Sequence, residues 1–151
     1  MAAPTNRGGA GNPAWVRALL SQPWVLPLVR LALVSAYLIG GVAKAADFDG
    51  AVAEQARFGL HPAAWWAALA IAVEIGGSLC VVFRRFTWLG AGGLGMLTLV
   101  AMTVANDFWN RTGAEHFMAL NSFFEHLGLI AALVLATVLA DAKPPAGDGR
   151  A

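Results

Sequence analysis

The chain has 151 residues, 58% of them hydrophobic and 13% charged, against roughly 45–50% and 25% in soluble domains. That composition argues against a soluble enzyme and leaves room for one compact membrane bundle. A net charge of +1 with no basic cluster among aromatics argues against nucleic acid as a partner, and a lone cysteine, Cys80, cannot run a dithiol cycle, which needs two thiols that close on each other.

Residues 1–22 are rich in Gly, Pro, Asn and Ala and read as a tail, with at most one or two interfacial turns over Trp15–Leu20. A first span follows at about 24–45, apolar except for Arg30 and Lys44. It exceeds the 7–15-residue core of a signal peptide, so the small-x-small sequence Ala43-Lys44-Ala45 is read as the end of a retained helix. A short interfacial helix is expected at about 48–58, where Phe48, Val52, Gln55 and Phe58 share one face. The block Phe58-Gly59-Leu60-His61-Pro62 ends it.

Three more apolar runs, at about 63–83, 86–106 and 117–140, reach the roughly 20 residues that cross about 30 Å of hydrocarbon. Arg84-Arg85 leave only a tight turn between the second and third, and the Pro-rich residues 142–151 form a second tail. The expected fold is all-α, a membrane four-helix bundle over residues 23–141. Small residues forecast close packing: Ala72, Gly76 and Cys80 form a ridge on span two, and Ala91 and Gly95, with Gly92 and Gly93 beside them, form one on span three.

Cytoplasmic loops carry the Lys/Arg excess. Arg7, Arg17, Arg30, Arg84, Arg85, Lys143 and Arg150 fall on one side, and Lys44, Arg57 and Arg111 on the other. Both termini are therefore expected in the cytoplasm of a multi-pass cell-membrane (inner-membrane) protein, bathed in lipid.

The polar residues inside the spans carry the functional expectation. Glu74 lies eleven residues into span two, about 16 Å deep at 1.5 Å per residue, where a carboxylate is costly unless paired and so marks a candidate site. Span four presents Asn121 and Glu125 at i, i+4, with His126 beside them. An outward-facing pocket is expected, floored by Glu74, walled by Asn121, Glu125 and His126, with Lys44 at its rim. Glu74, Glu125 and His126 could relay the protons that accompany quinone reduction, with Trp109, Phe108, Phe123 and Phe124 as aromatic walls. The bland alternative is that Glu74 pairs with Arg30 or Lys44 and only fixes helix register. His61, His116 and His126 include no pair at ligand spacing on facing helices, so no haem or other metal site is expected, and the chain shows no flavin motif.

Arg30, then Gly40-Gly41-x-x-Lys44, Phe58-Gly59-Leu60-x-Pro62 and Glu74-x-Gly76-Gly77 resemble the pattern of the DoxX family of small four-helix membrane proteins, over about residues 26–140. The resemblance points to Arg30, Lys44, Glu74 and Gly77 as functional positions. It implies a membrane partner of a redox system, as in a thiosulfate:quinone oxidoreductase or an oxidant-defence complex, with the electron-transfer centre on a separate partner protein. Glu125-His126 stands where many members of that family show less charged residues. Two readings stand at this point: a quinone-facing subunit, possible also as a homo-oligomer, or a non-enzymatic scaffold or small-solute transport module.

Overall fold

Residues 11–141 are described by the computed structural model, which is helical throughout: α1 (Ala14–Leu20), α2 (Val25–Ala46), α3 (Phe48–Arg57), α4 (Ala63–Val82), α5 (Thr87–Ala105), a 3-10 turn at Phe108–Asn110, and α6 (Gly113–Asp141). Four of these helices are long and apolar enough to cross a membrane, as the hydropathy predicts. The tail expected at 142–151, with Lys143 and Arg150, lies outside the described residues, as does Arg7. Helix α6 begins at Gly113, ahead of the apolar run at 117. Hydropathy marks where lipid-compatible residues start, whereas the backbone turns into the helix at Gly113, whose φ is +60°.

Helix α4 is apolar on nearly every side, so its sequence does not select a buried face. The fold selects Ala67, Ala70, Glu74, Ser78 and Val81, a row at 3–4 residue spacing that forms one stripe of the helix. This stripe places Glu74 on the packed side. Successive helices pack in chain order, α2 on α4, α4 on α5 and α5 on α6, while α2 and α6 meet only briefly. Val34, Val81, Ala91, Leu94 and Leu133 form the core, joined at its edge by Tyr37, Leu38 and Val73.

The close approach of α4 and α5 runs through Gly77 and Gly90 rather than through the Gly76 and Gly95 ridges expected. A Cβ on Gly90 would stand 2.5 Å from the Gly77 carbonyl oxygen and 2.6 Å from Cys80 Cβ. Gly76 and Gly95 face open space. Adjacent glycines on α4 offered two possible ridges, and the seating of Leu94 against Gly77 decides between them.

The helices end at unequal heights. Gly41 of α2 packs against Glu74 and Ile75 of α4. Beyond that contact α2 continues only to Ala46, whereas α4 reaches back to Ala63, so α4 extends about 9 Å farther in the same direction. Asp47 closes α2 and caps α3, its carboxylate accepting from the Gly50 N–H at 3.0 Å, and α3 turns back against α4 to occupy the missing height. Helix α6 overshoots at this end: Leu99 and Leu127 face one groove, and α6 runs about 12 Å farther past that level than α5 does. At the opposite end α4 and α5 are joined by a tight turn, in which Arg84 and Phe86 both hold left-handed backbone (φ 58° and 56°).

Candidate functional site

Lys44 is placed deep by the early end of α2. It is the third residue from the end of its helix, yet its ammonium donates to Glu74 Oε1 at 2.5 Å near mid-height of α4. The Lys44 side chain is 24% exposed and that of Glu74 9%. The position expected at the rim is therefore at the floor. The second carboxylate oxygen, Glu74 Oε2, has no hydrogen-bond partner and faces α2 where Gly40 and Gly41 lack side chains. A Cβ on Gly40 would lie 3.6 Å from it. The Gly40-Gly41 pair thus makes room for a carboxylate between two helices.

Above this pair a cavity of about 420 Å³ runs toward the α3 end, between α3, α4 and α5. Its walls are mainly apolar, with Leu69, Val73, Met96 and Val100 below and Phe58, Leu60 and Trp66 nearer the mouth, where Glu54 and Gln55 of α3 add polar groups. A charged pair at the closed end of an apolar cavity suits a ligand with one polar edge and a hydrophobic body. Beside the pair, the Tyr37 hydroxyl bonds Thr98 across from α2 to α5. The Thr98 hydroxyl already donates to the Leu94 carbonyl at 2.8 Å, so Tyr37 is the donor of that link.

The other expected site residues do not join this floor. His126 lines a separate cleft of about 460 Å³ with Asn106, Arg111, Glu115, Met102 and Ser122. Helix α5 stands between the two spaces, and Ala101 borders both. His126 Nδ1 donates to the Ser122 carbonyl at 2.6 Å, leaving Nε2 to the cleft. Asn121 donates to Glu125 at 2.6 Å, and both lie on the exposed face of α6. Trp109 is 59% exposed and packs edge-on against Phe108 at 5.1 Å, in a cluster continued by Phe123 and Phe124. These aromatics brace the start of α6 and do not wall the Glu74 cavity. Periodicity on α6 correctly put Asn121 and Glu125 on one face, but it could not say which neighbour that face meets.

Arg30 is buried at 8% exposure, eleven residues along α2 from Gly41 and so about 16 Å from the Glu74 level, where Arg84 bears on it electrostatically. It belongs to the opposite end. At the α3 end, Asp107 accepts from Arg111 Nε at 2.7 Å, a bond that holds the Arg111 guanidinium above its ordinary pKa. Among the described residues no three His, Cys, Asp or Glu side chains gather as a metal site. The residues that sequence reasoning missed are Glu54, Phe58 and Trp66. The available signal was the apolar face predicted for α3, which turns onto α4 and helps to line the cavity.

Comparison with known proteins follows the same lines. The model of the DoxX family matches residues 25–107, a stretch that includes Lys44, Glu74 and Gly77. The chain is similar to a protein of Escherichia coli (strain K12) described as inner membrane protein YphA, 25% identical over 118 residues, covering 78% of this chain and 84% of that one. No solved structure matches.

Proposed function

From the premise that this chain belongs to the DoxX family of membrane proteins, we propose that it is the quinone-binding membrane subunit of a redox assembly, with the Lys44–Glu74 cavity as its site. One observation carries the reading: an ion pair with a spare carboxylate oxygen closes the deep end of an apolar cavity large enough for a substituted ring. Lys44 keeps ammonium hydrogens for a quinone carbonyl oxygen. Glu74 holds or yields a proton at its carboxylate, and Phe58, Trp66 and Val73 exclude water from the ring. A bound quinone would supply the two-electron, two-proton couple, and a partner protein the electrons. Glu125 and His126 have no contact with the ring in this arrangement.

The charge layout supports an orientation with both termini in the cytoplasm. By Lys and Arg, among the described residues, the end with the α4–α5 turn carries Arg17, Arg30, Arg84 and Arg85, and the α3 end carries Lys44, Arg57 and Arg111. The cavity then opens toward the outer leaflet.

The test uses the folded protein in nanodiscs and a short-chain quinone, read by quenching of tryptophan fluorescence, since Trp66 lines the cavity. Saturable binding is expected, weakened about tenfold or more by Glu74→Gln or Lys44→Met through loss of a charge-assisted hydrogen bond. A folded wild type that shows no saturable binding refutes it. The direct contact of Lys44 with Glu74 favours a second reading, a non-enzymatic module in which the pair only locks α2 to α4. On that reading Glu74→Gln lowers bundle stability or assembly and leaves quinone turnover in the membrane untouched.

A further inference from the structure

Two cavities between α5 and α6, at the end away from α3, lie apart from the Lys44–Glu74 pair, and only Met96 borders both the groove and the cavity above that pair. The first is a cleft of about 190 Å³ lined by Arg84, Thr87, Trp88, Thr137 and Asp141 together with Phe86 and Ala140. The second is an apolar groove of about 450 Å³ that shares Trp88 and Thr137 with the cleft and ends at Leu99 and Leu127. From Trp88 to Leu99 is eleven residues, about 16 Å of helix, close to the half of a roughly 30 Å hydrocarbon core that one leaflet contributes. Gly92 and Gly95 line the groove, and a Cβ on either would meet nothing within 4 Å. Glycine weakens a helix interior, and here packing between helices does not require it. What the two glycines provide is open volume along the groove.

The cleft has its own chemistry. Thr87, the first residue of α5, is 6% exposed, and its hydroxyl has no hydrogen-bond partner among the described residues. No side chain caps α5, and although the Leu89 and Gly90 N–H groups bond the Phe86 carbonyl, those of Thr87 and Trp88 stand at the positive end of the helix, an arrangement that attracts phosphate. Arg84 adds a guanidinium. Asp141 lines the same cleft, yet the ion pairs among the described residues are Lys44–Glu74 and Arg111–Asp107, so Arg84 and Asp141 face one space without touching. Opposite charges held apart across a small cleft fit a ligand that carries both charges at a fixed separation.

We infer that the α5–α6 face binds an aminophospholipid, with a phosphoethanolamine headgroup in the cleft and an acyl chain in the groove. The phosphate accepts from Arg84, the Thr87 hydroxyl and the α5 N-terminus, and the ammonium donates to Asp141. A purely anionic headgroup would set its charge against the Asp141 carboxylate. A choline headgroup has no N–H to offer it.

The test is native mass spectrometry of the delipidated full chain with phosphatidylethanolamine, phosphatidylglycerol and phosphatidylcholine of identical acyl chains, with soluble phosphoethanolamine as competitor and circular dichroism to confirm folding. Phosphatidylethanolamine should be retained about tenfold over the other two, the value of one charge-assisted hydrogen bond. Asp141→Asn should remove that preference, Arg84→Gln or Thr87→Val should weaken retention of all three lipids, and Gly95→Leu should block lipid while the protein stays folded. Equal retention of the three lipids, or phosphatidylglycerol leading with Asp141→Asn silent, overturns the headgroup assignment. Soluble phosphoethanolamine competing as well as the lipid does, with Gly95→Leu silent, overturns the acyl groove and leaves the free zwitterion as the ligand.

Discussion

Removing Lys44 and removing Glu74 should have unequal costs, and the inequality follows from burial. In Lys44→Met the Glu74 carboxylate keeps only 9% of its side-chain exposure and has no other donor, since Oε2 is already unpartnered. Breaking a buried pair from this side costs about 3–5 kcal/mol. In Glu74→Leu the Lys44 ammonium is left behind, but its side chain is 24% exposed against 9% for Glu74, so a smaller loss of about 1–2 kcal/mol is expected once solvent screening is allowed for. The double variant Lys44→Met/Glu74→Leu should recover most of the stability, because replacing both charges of a buried pair by apolar groups is often neutral or stabilising by about 1–4 kcal/mol. The assay is reversible unfolding in mixed micelles, run as a double-mutant cycle. Single effects that add to within about 0.5 kcal/mol, or a Glu74→Leu loss larger than that of Lys44→Met, would refute the geometry from which the argument starts.

The same packing has further consequences. Gly90→Ala drives a Cβ into the Gly77 carbonyl and should lower stability by about 1–3 kcal/mol, whereas Gly76→Ala, which meets open space, should raise it by about 0.5–1 kcal/mol; the same unfolding assay separates them. Gly41→Ala places a Cβ 2.8 Å from Ile75 Cγ1 and 3.0 Å from Glu74 Cβ, so it should push α2 away from α4 and weaken quinone binding along with stability, seen as coupled losses in the quenching and unfolding assays. Asp107 and Arg111 pair at an exposed site, and Arg111→Gln should leave the melting temperature unmoved across salt concentrations.

The four spans were legible because each apolar run matches the thickness of a bilayer, and that constraint outweighs local detail. Glu74 stood out for the same reason. That it pairs with Arg30 or Lys44 was legible, and the structure selects Lys44; the rest of its surroundings were not, since α4 and α5 are apolar nearly all round and hydropathy gives no rotational register. The depth of Lys44 was hidden by an assumption that helices end at a common level. Asp47-Phe48-Asp49-Gly50 does announce a helix start, but nothing local says that this start lies well inside the bundle. His126 and Glu125 were placed on the correct end and assigned the wrong neighbours, because α6 packs mainly on α5 and so keeps Glu125 turned outward.

The staggered rim at the α3 end bears on the bilayer itself. A leaflet that meets α2 finds its hydrophobic support ending about 9 Å below that offered by α4, by the rise of 1.5 Å per residue, and one that meets α6 finds the helix continuing past it. Mismatch costs fractions of a kcal/mol per Å, so an unfilled step of this size would deform lipid at a cost of a few kcal/mol. With α3 packed into the step, the bundle would present a more even height to the lipid. Deleting α3 would thin the membrane on one side of the bundle and make the protein's insertion depth and tilt depend on the acyl-chain length of its host membrane.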